Sequence, residues 1–142
     1  MYDTHTPQQA TNEVLRKVPE ATAAEMAEAT KSSQAAFKEW KNTTPLTRQR
    51  KVLDLQAAVR DNQEKLAVSI VEEQGKVLAD ARGDVLRGLQ VVEHACSIPT
   101  LLQGETLGNV ATEMDMYSYR VPLGVTAGIC PFNFPAMIPL WV

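Results

Sequence analysis

The stretch GVTAGICPFNFP, Gly124–Pro135, lies inside a run from Val121 to Val142 that contains no charged residue. A run of this length could cross a bilayer, but Pro122, Pro131, Pro135 and Pro139, with Gly124, Gly128 and Asn133, interrupt it repeatedly. Each proline removes a backbone donor, and lipid offers nothing to satisfy the groups set free, so no membrane span is expected. An uncharged, β-rich run of this kind instead reads as a central parallel strand buried on both faces. Pro122-Leu123-Gly124 turns the chain, Val125 to Cys130 form a short buried strand, and Pro131 to Pro135 form a loop. That loop opens a helix carrying Met137 and Trp141. Strand, tight loop and helix in this order predict an α/β protein, and specifically the first half of a nucleotide-binding unit. The second half is absent from the 142 residues.

Working outward, the preceding sequence is helical. Thr22-Ala-Ala-Glu25 is a capping box, which starts a helix that runs to about Trp40. Met26, Ala29, Ala36, Phe37 and Trp40 form one apolar stripe along it. Turn residues from Asn42 to Pro45 precede a second helix, Thr47 to about Arg60, with Val52, Leu55 and Val59 on one face. Asp61-Asn-Gln-Glu64 reads as another capping box, and the helix it starts ends near Gly75, because glycine tolerates the left-handed closing conformation. A fourth helix covers about Leu78 to Leu102, aligning Val85, Leu89, Val92 and Cys96, with Pro99 kinking or shortening it. From Met114 the pattern turns to near alternation, as in an extended strand. The expected organisation is therefore an extended segment over 1–21, a helical part over 22–113, and strands with the start of a nucleotide-binding unit over 114–142.

A chain with 44% hydrophobic and 22% charged residues is composed like an ordinary globular protein. Its net charge of -3 comes from interleaved acids and bases. Without a basic stripe, nucleic acid has no electrostatic foothold. Two distant cysteines, Cys96 and Cys130, with no CxxC and no clustered histidines, suggest neither a metal site nor a disulfide framework. A reducing compartment fits. Met1 to Gln9 is polar and shows neither a secretory signal nor a transit peptide.

Several separated motifs resemble the aldehyde dehydrogenase superfamily in the same order. Gly124–Pro135 is similar to the start of that superfamily's cofactor domain, where a buried strand leads into a Pro-aromatic-Asn-Phe-Pro loop. Glu73-Gln-Gly-Lys76, Ala79 and Gly83-Asp-Val85 resemble its Glu-x-Gly-Lys helix pair. RGLQVVEHACSIPTLLQGE (Arg87–Glu105), SYRVPLGV and PFNFPAMIPLW resemble the CoA-acylating methylmalonate-semialdehyde dehydrogenase branch. The likeness covers about Ala10 to Val142.

The resemblance implies a reaction in which a cysteine thiolate attacks a small-molecule aldehyde, hydride passes to NAD, and coenzyme A resolves the thioester. It implies malonate or methylmalonate semialdehyde as substrate, a role in valine and thymine catabolism, and a homo-oligomer, a tetramer by analogy. It places the enzyme in the mitochondrial matrix of a eukaryote or the cytoplasm of a bacterium. Asn133 matches the family's side-chain donor to the developing oxyanion. As a plain residue, Asn133 could equally cap the helix after the loop. Cys130, Pro131 and Phe132 match positions lining the nicotinamide side of the cofactor, against simple packing at a strand end. Arg87 could bind a substrate carboxylate bidentately, or pair with Asp84 or Glu93 as an ordinary helix arginine.

His94 is read as a packed histidine rather than a base, and Glu73 and Lys76 as capping and surface ion-pair residues. Cys96 reads as a small core residue. Neither cysteine matches the family nucleophile, and the general-base glutamate and oligomerisation strand have no counterpart in these 142 residues. The expectation is an N-terminal piece, inactive alone and aggregation-prone at its open strand edge. The alternative is a non-catalytic helical interaction module docking on full-length subunits.

Overall fold

The computed structural model describes residues 3–7, as backbone, and 11–142. Part of the leader reading for Met1 to Gln9 therefore lies outside the described residues. The element order is β1 (Asp3–Pro7), β2 (Val14–Pro19), α1 (Ala23–Trp40), α2 (Pro45–Asp61), α3 (Gln63–Gln74), α4 (Leu78–Ala95), α5 (Ile98–Leu101), β3 (Thr106–Ala111), β4 (Met114–Tyr117) and α6 (Met137–Trp141). The strands form two antiparallel two-stranded sheets, β1 with β2 and β3 with β4. The segment expected to be merely extended thus contains a hairpin.

Local sequence sets the helix ends. Thr22 caps α1 with both reciprocal bonds of the capping box present. Thr44 caps α2, and Pro45 occupies its first turn, where a missing N–H costs nothing. Gly75 closes α3 at φ 72°. The second capping box does not form: Asp61 ends α2, and Asn62 stands between the helices with its amide turned back to the carbonyl of Ala58 at 2.8 Å. With no linker between α2 and α3, Asp61 is still helical and cannot take the extended backbone a cap needs. The fourth helix stops at Ala95, and Pro99 lies in the first turn of the short α5 instead of kinking a longer helix.

The core lies where α2, α3 and α4 meet, built from Val59, Ala67, Ile70, Ala81, Val85 and Leu89. Within α4 the buried residues Ala81, Asp84, Val85, Gly88, Leu89 and Val92 recur at helical spacing and form one stripe. α1 buries no residue: Phe37 is half-buried, while Met26 and Trp40 are exposed, so its apolar stripe has no cover among the described residues. Leu55 is likewise exposed on α2. His94 is exposed in the last turn of α4 and is not the packed histidine expected.

The alternation from Met114 becomes strand β4, paired with β3 in the register Thr106 to Tyr117 and Leu107 to Met116. Val125 to Cys130 do not form a hydrogen-bonded strand. Ile129, expected to be buried on both faces, is fully exposed. A parallel strand exists only beside a hydrogen-bonded neighbour, and no strand among the described residues pairs with it.

Candidate functional site

The site is a short loop seated on the helical layer. Gly75 ends α3 with a left-handed turn in which its own N–H bonds to the Val71 carbonyl at 2.8 Å. That turn sends Lys76 toward α4 and the Pro131–Pro135 loop. The Lys76 ammonium lies 3.4 Å from Oδ2 of Asp84, donates to the backbone carbonyl of Asn133 at 2.8 Å, and sits 4.4 Å from the centre of the Phe134 ring. Lys76 is not the surface ion-pair residue expected. Its side chain is 18% exposed and that of Asp84 is 0% exposed, so the pair is shielded from solvent.

Asp84 uses its other oxygen. Oδ1 accepts the backbone N–H of Met137 at 2.7 Å, at the start of α6. One buried carboxylate therefore neutralises Lys76 and satisfies one of the orphan donors at a helix N-terminus. A buried charge needs such partners, since leaving either one unpaired costs several kilocalories per mole. A third tether comes from Gln74, whose amide donates to the carbonyl of Phe132. Gln74, Lys76 and Asp84 thus hold the loop at Phe132, Asn133 and Met137.

Gly88 completes the seat. A Cβ at this position would lie 2.8 Å from Leu140 Cδ1 and 3.3 Å from both the Ala136 oxygen and the Met137 Cα. Its absence lets α6 pack directly on the α4 backbone. The Trp141 indole N–H also donates to the Arg87 carbonyl at 3.4 Å.

Asn133 is held through its backbone carbonyl, and its side chain does not cap α6, whose N-cap is Ala136 without a side-chain hydrogen bond. The capping role expected as an alternative for Asn133 is not the one adopted. Beside it, Cys130 is half-buried and a free thiol, Pro131 is exposed and Phe132 is 83% exposed. Pro131 and Phe132 present an open apolar surface next to Asn133.

Arg87 is exposed on α4, with Nη1 near the place a Gly83 Cβ would take. Both carboxylates expected to pair with it are engaged elsewhere: Asp84 with Lys76, and Glu93 with Arg60 at 2.8 Å. Among the described residues no hydrogen bond joins its guanidinium to the loop. The structure therefore brings Asn133, Cys130, Pro131 and Phe132 together, and places Arg87 on the neighbouring turn of α4. Cys96, at the end of α4, is half-buried and donates to the Val92 carbonyl at 3.3 Å.

Sequence reasoning missed Asp84 and the weight carried by Lys76. The available signal was an aspartate on the same helical face as Ala81, Val85 and Gly88, where an acid without a partner is not tolerated. No helix among the described residues is long and apolar enough to cross a membrane.

The α/β arrangement and its Asn-bearing loop are those of an aldehyde dehydrogenase, and the chain belongs to that family: residues 2–142 match the profile described as "Aldehyde dehydrogenase family". A Caenorhabditis elegans protein named "Probable methylmalonate-semialdehyde/malonate-semialdehyde dehydrogenase [acylating], mitochondrial" is 65% identical over 133 residues, covering 94% of this chain and 25% of its own length. The methylmalonate-semialdehyde dehydrogenase of Oceanimonas doudoroffii matches in structure with TM-score 0.93 and 38% identity, over 99% of this chain and 29% of its own. A "putative methylmalonate-semialdehyde dehydrogenase" of Sinorhizobium meliloti 1021, solved in complex with NAD, gives TM-score 0.92 and 40% identity, over 99% and 28%. The chain spans about a quarter of the length of the curated relatives it matches.

Proposed function

We propose that this chain supplies the oxyanion-binding loop of an NAD-dependent, CoA-acylating dehydrogenase for malonate and methylmalonate semialdehydes. Residues 22–113, helical apart from the strand β3, form the first part of its cofactor domain, and 114–142 begin the NAD-binding unit. The observation that carries the reading is the state of Asn133. Its backbone carbonyl is bound by Lys76 and its side chain is not used as a helix cap, in a loop that resembles the one carrying the oxyanion-binding asparagine of aldehyde dehydrogenases.

When a nucleophile adds to an aldehyde, the carbonyl oxygen gains negative charge. A fixed amide N–H stabilises that charge more than it stabilises the neutral substrate, which is the condition for accelerating the step. The Asn133 side chain is the proposed donor. NAD accepts the hydride, and coenzyme A takes the acyl group as co-substrate. The apolar surface of Pro131 and Phe132, beside the half-buried Cys130, suits one face of a nicotinamide ring and keeps water from the reacting carbon. Arg87, free of both Asp84 and Glu93, is the proposed partner of the substrate carboxylate.

Neither Cys96 nor Cys130 is proposed as the nucleophile, so the 142 residues alone are not expected to turn over aldehyde. The parent enzyme is proposed to be a homotetramer, in the mitochondrial matrix if eukaryotic. In an enzyme of family length carrying this segment, Asn133→Ala should lower turnover by about 10²–10³-fold with little change in NAD affinity. Unchanged turnover would remove Asn133 from the oxyanion site.

A further inference from the structure

We infer that Lys76 and Asp84 are positioning residues for Asn133: the buried pair sets the height and tilt of the loop, and so the direction of the Asn133 amide. This rests on the reading of Asn133 as the oxyanion donor. Three features support it. First, Lys76 contacts the loop at the residue in question, donating to the carbonyl of Asn133 itself at 2.8 Å. Second, the other end of the segment is fixed by the same pair, because Asp84 binds the Met137 N–H at 2.7 Å. The stretch between Asn133 and Met137 is therefore clamped at both ends through one carboxylate. Third, the pair is shielded, with Asp84 fully buried and Lys76 lying over the Phe134 ring, so its interactions are not screened as a surface pair's would be.

An oxyanion donor must be fixed before reaction, since a donor that has to reorient gives back part of its stabilisation. A misplacement of about 1 Å can cost on the order of a hundredfold in rate. A tether acting on the backbone of the donor residue is a direct way to prevent that. The Asn133 side chain does not cap α6, so that bond does not fix it.

The test is a double-mutant cycle in a family-length dehydrogenase carrying this segment, using Lys76→Met, Asn133→Ala and the two combined. Lys76→Met should lower kcat by about ten- to a hundredfold, with KM for NAD within about twofold of the parent. In the Asn133→Ala background the same change should cost almost nothing further, because there is no amide left to aim. Asp84→Asn is nearly isosteric and can still accept the Met137 N–H, but it replaces the charge and the acceptor oxygen that hold Lys76 with an NH2 donor. It should show the same non-additive pattern, and it serves if Lys76→Met does not fold. Full loss from Lys76→Met or Asp84→Asn on top of Asn133→Ala would show a general structural role and overturn the inference. A costly Asn133→Ala with silent Lys76 and Asp84 variants would overturn it while leaving the oxyanion reading intact. A silent Asn133→Ala would overturn both.

Discussion

Oδ1 of Asp84 accepts the backbone N–H of Met137 at 2.7 Å, a bond between the buried face of α4 and the first turn of α6. Because α6 is five residues long, it cannot hold itself together by helical hydrogen bonds alone. Its position is set by this bond, by the Trp141 bond to Arg87, and by the gap at Gly88.

The gap predicts a steric test. In Gly88→Val the new side chain would meet backbone atoms of Ala136 and Met137, which cannot swing aside as the end of Leu140 can. α6 should lift off α4 while α2, α3 and α4 stay packed. In a Trp40→Phe background, Trp141 fluorescence should shift toward that of a fully solvated indole, with far-ultraviolet helicity little changed. An unshifted spectrum would show that α6 is held without close packing on Gly88.

The core gives a stability test. Val85 is completely buried among α2, α3 and α4. Val85→Ala removes two methyl groups and leaves a void, so it should lower unfolding free energy by about 1.5–3 kcal/mol. The matching change at Val77, 65% exposed, should cost far less. Equal losses in urea melts would contradict the core assignment.

The capping box of α1 predicts an acid response. The Glu25 carboxylate accepts the Thr22 backbone N–H at 2.7 Å and its hydroxyl at 2.8 Å. The backbone bond above all holds its pKa below the ordinary 4.5. A carboxyl whose pKa is lower in the folded state contributes stability above the unfolded value, and that contribution fades as pH falls through the folded one. α1 should therefore fray on acidification below 4.5, and Glu25→Gln, which can still bond to Thr22, should not show that step. Carbon-13 titration of Glu25 with a midpoint at or above the ordinary value would count against the box.

Arg87 gives a test of selectivity. In an enzyme of family length, Arg87→Leu should reduce kcat/KM for methylmalonate semialdehyde by about ten- to over a hundredfold, the worth of a charge-assisted hydrogen bond. Propionaldehyde, which lacks the acid, should be nearly unaffected. Equal losses for both aldehydes would indicate a folding defect, and no loss for either would leave Arg87 a solvent-facing residue.

The helical layer was legible in the sequence wherever its determinants are local: the Thr22 box, the Gly75 stop and the apolar stripe of α4 act within a turn or two. The loop and the helix after it were legible from the prolines that bound them. The second box failed because Asp61 is locally a good cap, yet is consumed by the end of α2. The 125–130 run has strand composition but no partner strand among the described residues, and pairing is a property of two segments rather than one. β3 was not read because Gly108 and Asn109 break its alternation, Asn109 taking a positive φ of 55°. Of the site, Asn133, Cys130, Pro131 and Phe132 could be placed together because they adjoin in sequence. Lys76 and Asp84 could not, since only the tertiary fold brings them to the loop.

Those tethers have a consequence for the order of assembly. Gln74, Lys76 and Asp84 meet the loop at sequence separations of 58, 57 and 53 residues. Closing such intervals costs chain entropy that grows only slowly with length, and the tethering residues sit on or beside helices, whose formation is fast. The loop can thus be docked by a folding event confined to α3, α4 and α6, with the 125–130 run still unpaired. Any strand that pairs with that run would then join beside an asparagine whose main chain is already in place.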